Sequence, residues 1–293
     1  MHNIQQCCRA LRMRQWAKNL LVAVPLLLAH RFTEGPRLWS MGCVFLSLSL
    51  CASAVYVIND LRDLAADRIH PRKCRRPFAS GALPRWSGVV AAPLLLAMGF
   101  ALAAWTLSWV AAQALCLYIG LAFGYAVYLK RFPILDVFLL AGLYTLRVML
   151  GAIATNVPVS PWLLAFSMFF FTHLAFVKRF TEVQLLTRQG QREAPGRDYG
   201  AQDLALLRVI GPCCGLLSGL VFVLYLQSHE VAAQYRAPMT LWLIAPFLLY
   251  WIIRMWWLAN RGEIDDDPVA FCLRDPISYA IGSVMLLIMQ SAA

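Results

Sequence analysis

Charge is scarce in this chain. Of its 293 residues only 14% are Asp, Glu, Lys or Arg, against about 25% in an ordinary soluble domain. Acids are the scarcer sign, with 15 Asp and Glu against 26 Lys and Arg. No polar stretch exceeds about thirty residues, which leaves no room for a soluble domain beside the apolar segments. Phosphate-cradling loops of the Walker or GxGxxG kind are missing, as are CxxC and Cys/His metal spacings. The nine cysteines are scattered or adjacent, as in Cys7–Cys8 and Cys213–Cys214, and read as small apolar residues. These absences exclude a nucleotide-binding α/β enzyme, a zinc module and a disulfide-built secreted domain.

What the chain has is apolar length. Hydrophobic residues make up 60% and mean hydropathy is +0.63. Nine runs approach the ~20 residues that cross a bilayer as a helix. They lie at roughly 15–32, 38–58, 87–108, 110–129, 134–155, 161–177, 204–227, 239–258 and 276–292. Continuous runs exclude a β-barrel, whose strands alternate in short segments. The sequence therefore predicts an all-α, polytopic membrane helix bundle of about nine transmembrane helices, a single domain over 1–293. The uncharged core of the first run, between Lys18 and Arg31, is short. No small-residue cleavage pattern follows it, so it reads as a helix rather than a leader.

The basic residues are distributed unevenly. Counting Arg208 with its loop, 22 of the 26 Lys and Arg fall in the amino-terminal segment and in 59–86, 130–133, 178–203 and 254–275. Arg31, Arg37 and Arg236 fall on the other side, and Arg147 lies inside a run. By the positive-inside rule, the amino-terminus and the loops at about 59–86, 178–203 and 259–275 are cytoplasmic, and Ala293 is outside. The protein is expected in a bacterial inner (cytoplasmic) membrane, multi-pass, with its chemistry on the cytoplasmic side. The net charge of +11 then reports topology and affinity for anionic membrane lipid, not nucleic acid.

The densest charge, of both signs, follows the second run, in "VINDLRDLAADRIHPRKCRRPFASG", Val57 to Gly81. Asn59, Asp63 and Asp67 recur at i, i+4 and i+8. On a helix that continues past Ile58 they form one stripe, each about 6 Å beyond the last. Oxygen ligands on one face suit Mg²⁺, which takes one or two carboxylates and completes its shell with water and substrate phosphate. Asp60 lies about 100° round the helix and reads as support for a neighbour, within the substrate-binding set. Pro71 should end the helix, after which Lys73, Arg75 and Arg76 fold back as a flexible cationic loop. Arg offers phosphate oxygens a bidentate fork.

That stretch resembles the first signature of the UbiA superfamily of membrane prenyltransferases, NDxxDxxxD followed by an RPxxSG-like element. The resemblance extends over essentially the whole chain, through nine helices with long loops after runs 2 and 6. It implies two four-helix halves around a lipid-facing cavity capped by those loops. Aromatic prenyltransferases of the family carry a second, DxxxD-like motif after run 6. Here the sequence is "FVKRFTEVQLLTRQGQREAPGRDYG": Lys178, Arg179 and Glu182 replace the acidic pair, and Asp198 and Asp203 lie too far along. Lys178 and Glu182, at i and i+4, share a helix face. Exchanging carboxylates for Lys and Arg favours phosphate over metal.

The departure resembles one branch of the family, the decaprenyl-phosphate phosphoribosyltransferases, which join 5-phosphoribosyl diphosphate (PRPP) to a polyprenyl phosphate. "RQWAKNLLV" (Arg14, Gln15, Trp16, Lys18, Asn19), "HPRKCRRP", "YTLRVMLGAIAT" around Arg147, "KRFTE" and "FCLRD" with Arg274 and Asp275 match it further. An Arg that deep in a span expects an anionic partner, either substrate phosphate or Asp136. The acidic run "EIDDDP" at 263–268 lacks stripe spacing and reads as a solvated loop.

The resemblance implies a Mg²⁺-dependent transfer of 5-phosphoribose to the lipid phosphate, toward a lipid-linked arabinose donor for the cell envelope. Asn59, Asp63 and Asp67 would hold the metal; Asp63, Asp67 and Arg76 are the candidate catalytic residues. Lys73 and Arg76 would neutralise the leaving diphosphate. Lys18, Asn19, Arg147, Lys178, Arg179 and Glu182 are left as candidates around the 5-phosphate and the lipid phosphate. Two alternatives stand beside this reading. One is an aromatic prenyltransferase with a polyprenyl diphosphate donor; the other is a membrane transporter, favoured by Asp136 and Arg147.

Overall fold

The computed structural model describes residues 2–69, 73–190, 198–264 and 267–293, with residues 2–4 in the backbone alone. In chain order the helices are α1 (His2–Ala10), a 3₁₀ run (Met13–Ala23), α2 (Val24–Leu28), α3 (Gly35–Arg62), α4 (Leu64–Ile69), α5 (Arg85–Thr106) and α6 (Trp109–Val127). They continue as α7 (Leu135–Ala154), α8 (Pro161–Arg188), α9 (Leu204–Leu226), α10 (His229–Gln234), α11 (Ile244–Arg261), α12 (Pro268–Cys272) and α13 (Pro276–Ala292). No β-strand occurs among the described residues.

Seven helices among the described residues are long and apolar enough to cross a membrane. Burial separates two kinds. Within their apolar windows α3 is 61% buried, and α7 and α8 are each 56% buried. By contrast α5 and the Ala201–Leu226 helix are 22% buried and α6 only 17%. A helix that is apolar on every side yet mostly uncovered belongs in lipid, so α5, α6 and α9 face outward. The two charged sequence stripes sit on the interior kind, α3 and α8.

Of the nine expected runs, the first and last take other forms. The first is the 3₁₀ run followed by the five-residue α2. A 3₁₀ helix rises about 2.0 Å per residue, so these 16 residues together still reach about 30 Å, the thickness of a hydrocarbon core. The last, α13, has 17 residues and reaches about 25 Å.

The chain divides into two compact units. One comprises Met1–Leu129 and Leu146–Val159. In it α3 packs on α5, α6 and the 3₁₀ run. Gly151 on α7 permits the closest approach in this unit: a Cβ there would strike the Val22 carbonyl of the 3₁₀ run. Under the end of α3, Ala10, Val57, Leu64, Phe78 and Ala92 form a small buried core.

The other unit comprises Lys130–Thr145 and Ser160–Ala293. Here α8 packs on α9 and α11. Phe170 stacks on Phe166 and Trp251, and the Trp256 indole N–H donates to His173 Nδ1 at 2.9 Å.

Candidate functional site

The first charged cluster is built where α3 runs out. Its helix continues past Ile58 as far as Arg62, and Asp63 closes it as C-cap. The Asp63 N–H donates to the Asn59 carbonyl at 2.9 Å, and the Asp67 N–H to the Asp63 carbonyl at 2.8 Å. The four-residue repeat therefore persists through the junction with α4, so Asn59, Asp63 and Asp67 keep their i, i+4, i+8 spacing. Asn59 and Asp63 are half-buried and Asp67 is buried.

The basic half returns onto these carboxylates. Arg76 Nη1 donates to Asp67 Oδ2 at 2.6 Å and to Asp60 Oδ1 at 3.1 Å. The sequence predicts a flexible loop here; from Lys73 onward the structure is instead a built turn. Its Arg76 N–H bonds the Lys73 carbonyl, the Ser80 N–H bonds the Arg76 carbonyl, and the Leu83 N–H bonds the Pro77 carbonyl. Phe78, 3% exposed, plugs the turn into the small core. Gly81 closes it at φ 80°, a conformation that favours glycine. Lys73 and Arg75 stay exposed. Pro71, expected to end the helix, lies outside the described residues with His70 and Arg72.

Asp60 carries no stripe position, and its surroundings say why it is there. It is 2% exposed, and its Oδ1 also accepts from Arg12 Nη2 at 2.5 Å. A buried carboxylate needs paired, hydrogen-bonded cations, and Asp60 has two.

From this cluster a line of buried and part-buried polar contacts follows the 3₁₀ run. Trp16 Nε1 donates to Ser53 Oγ at 3.0 Å, Ser53 to the Leu11 carbonyl at 2.8 Å, and Asn19 Nδ2 to Ser49 Oγ at 3.0 Å. Arg147 Nε donates to Asn19 Oδ1 at 3.0 Å, and its guanidinium lies 5.0 Å over the Tyr118 ring. Lys18 is half-buried on the same run.

The second cluster lies on α8. Arg179 is fully buried, with Nε donating to Asp136 Oδ2 and Nη1 to Glu182 Oε2. The sequence leaves Arg179 as a phosphate candidate and Arg147 as a partner for Asp136. In the structure Arg179 itself pairs with Asp136 and is committed inside the unit. Glu182, expected to orient Lys178, accepts from Arg179. Lys178 is half-buried. Tyr199 completes the network: its hydroxyl donates to Asp136 Oδ1 at 2.8 Å and accepts the Ile134 N–H at 2.7 Å. Ile134 stands at φ 66°, which is rare for a β-branched residue. Burial, and then the adjacent Asp136 carboxylate, push the Tyr199 phenol above its ordinary pKa, so it stays a donor.

The remaining sequence candidates have local duties. Asp203 accepts the Gly200 N–H, Asp267 caps α12, and Asp275 caps α13 while holding Arg254 by two bonds of 2.6 and 2.9 Å. Arg274 is exposed. Asp265 and Asp266 of the acidic run lie outside the described residues. Arg12, Phe78 and Tyr199 are the residues that sequence reasoning missed; each acts on a partner far away in the chain, and no local pattern marks it.

No three His, Cys, Asp or Glu side chains converge as a metal cluster among the described residues. The oxygen donors of the sequence stripe are two carboxylates and an amide, Asn59 on α3, Asp63 at its C-cap and Asp67 on α4. That set is too sparse for a closed protein cage. It fits a hard ion that leaves most positions to water and phosphate.

Three comparisons bear on this geometry. The profile of the UbiA prenyltransferase family matches residues 20–278. The nodulation protein NoeC of Azorhizobium caulinodans is 35% identical over 302 residues, covering 97% of this chain and 94% of that protein. A decaprenyl-phosphate phosphoribosyltransferase of Mycobacterium tuberculosis is 35% identical over 186 residues, 62% of this chain and 61% of that protein. Among the relatives, one is covered by this chain over only 55% of its length. A UbiA homologue from Archaeoglobus fulgidus, solved bound to DMAPP and Mg²⁺, superposes with a TM-score of 0.71 at 14% identity, covering 97% of this chain and 98% of that one.

Proposed function

The chain belongs to the UbiA prenyltransferase family, and from that premise we propose that it transfers 5-phosphoribose from PRPP to a membrane polyprenyl phosphate. The observation that carries this reading is the chemistry of α8. In place of the second carboxylate pair of the family's aromatic prenyltransferases stand Lys178 and Arg179, and the one acid, Glu182, accepts from Arg179. Lys178 and Arg179 thus give this cluster cations where the acids would stand, which suits a phosphate.

Asn59, Asp63 and Asp67 would hold Mg²⁺, which when bound would supply charge neutralisation at the diphosphate of the donor. Arg76 and Lys73 donate to the oxygens of the departing diphosphate, Arg76 from a position fixed by Asp60 and Asp67. As the bond from ribose C1 to the diphosphate oxygen breaks, C1 gains oxocarbenium character. A lipid phosphate oxygen forms the new C1–O bond from the opposite face. That oxygen is already ionised at pH 7, so no proton has to be removed and no general base is needed. Lys18, Arg147 and Lys178 are the cations proposed for the 5-phosphate and the lipid phosphate. Asn19, bonded to Arg147, holds that guanidinium in place, and Arg179 and Glu182 complete the proposed substrate-binding set on α8. Catalysis is then positioning plus charge stabilisation. The proposed setting is a bacterial inner membrane with the amino-terminus and both clusters on the cytoplasmic side, and the product feeds a lipid-linked arabinose donor.

The transporter reading rests on Asp136 and Arg147; in the structure Asp136 is enclosed with Arg179 and Tyr199, and Arg147 is held by Asn19 over the Tyr118 ring. The prenyl-donor reading is decided by binding. Purified protein with Mg²⁺ is titrated with PRPP and, separately, with a prenyl diphosphate. Saturable PRPP binding that Lys178→Ala weakens is the expected result. Tight prenyl diphosphate binding with indifference to PRPP would replace this proposal with an aromatic prenyltransferase.

A further inference from the structure

Arg12 belongs to none of the motifs that mark the chain, yet it is the cation nearest Asp60. It stands between α1 and the 3₁₀ run at φ 49°, a left-handed conformation. From there its guanidinium lies 4.8 Å over the Tyr56 ring, and its Nη2 reaches Asp60 Oδ1 at 2.5 Å. The same oxygen accepts Arg76 Nη1 at 3.1 Å, and Arg76 also holds Asp67 Oδ2 at 2.6 Å. Three separate segments therefore meet at one carboxylate oxygen that is almost wholly enclosed.

A carboxylate turns freely about its last torsion, because that torsion is broad. A second cation of fixed direction removes this freedom. Arg12 has such a direction: one face rests on Tyr56 while one edge bonds Asp60, an arrangement that a planar guanidinium fixes in direction and a flexible ammonium does not. With Asp60 pinned, Arg76 is held from two sides, by Asp60 and by Asp67. We infer that Arg12 is a positioning residue of the reaction. It fixes Asp60 and, through the oxygen they share, holds the Arg76 guanidinium where the diphosphate is bound. The inference rests on the proposed function only in placing a diphosphate at this cluster, whichever donor carries it.

The test is binding of inorganic diphosphate with Mg²⁺ to the purified full chain, for wild type, Arg12→Gln, Arg76→Gln and the double variant. If Arg12 acts through Arg76, each single substitution weakens binding at least about tenfold, and the double variant is no weaker than Arg76→Gln. A purely structural Arg12 gives losses that multiply, or none at all in Arg12→Gln, and either result overturns the inference. Arg12→Lys guards against loss of the fold, since it keeps a cation beside buried Asp60. It should melt like wild type and still bind diphosphate more weakly; wild-type binding by Arg12→Lys also overturns the inference. Wild-type protein that binds no diphosphate would remove the site itself, a different outcome from an intact site indifferent to Arg12.

Discussion

Lys178 and Arg179 are neighbours with the same charge, about 100° apart around α8. That rotation sends Arg179 into a fully buried place between Asp136 and Glu182 and leaves Lys178 half-buried. Removing one partner of a buried ion pair costs about 3–5 kcal/mol, because the other charge is left uncompensated. Arg179→Ala should therefore lower the melting temperature in detergent markedly more than Lys178→Ala does, while Lys178→Ala loses donor affinity. Equal melting of the two variants would contradict the division of roles. The sequence shows the pair but not the division, since the phase of α8 relative to Asp136 is set by packing across 43 residues. Arg12 is hidden for the same reason, 48 residues from Asp60. Asn59, Asp63 and Asp67 were legible because a four-residue period is a local property of a helix.

At the scale of elements, long apolar runs announce themselves by composition, whereas the form each takes depends on neighbours. The first run is 3₁₀ over Met13–Ala23, and the bare face of Gly151 is what admits its backbone. The basic turn after α4 reads as flexible because its bases are polar; Phe78, with Ala79 and Leu83 packed against the same small core, supplies the anchor. The start of α13 offers a test of another junction. Burial by itself would raise the Asp275 carboxyl, but bonds from Arg254 and from the side chain and backbone of Ser278 bring it below its ordinary value. An acid with a lowered folded pKa stabilises the protein fully above its unfolded pKa, about 3.9, and loses that contribution as pH falls through the folded value. The melting temperature should hold from pH 7 to about 5 and drop below about 4. Asp275→Asn should flatten part of that drop. An unchanged acid profile in the variant would count against the junction.

The whole molecule is an integral membrane helix bundle of the UbiA family, with its charged stripes on interior helices and its most exposed apolar helices facing lipid. From the uneven placement of Lys and Arg we propose that the loops after α3 and α8 are cytoplasmic and Ala293 is outside. A reporter fused at Ala293 should therefore read as external, and a cytoplasmic signal would mean that the number of crossings differs from nine by an odd number. The reaction itself is tested most directly by following the label. Membranes containing the protein are incubated with PRPP radiolabelled in the ribose, Mg²⁺ and polyprenyl phosphate, and the lipid phase is extracted. The account predicts label in the lipid, abolished by EDTA and by Asp63→Ala. Label that stays in the aqueous phase, while an isoprenoid diphosphate is consumed by the same membranes, would contradict it.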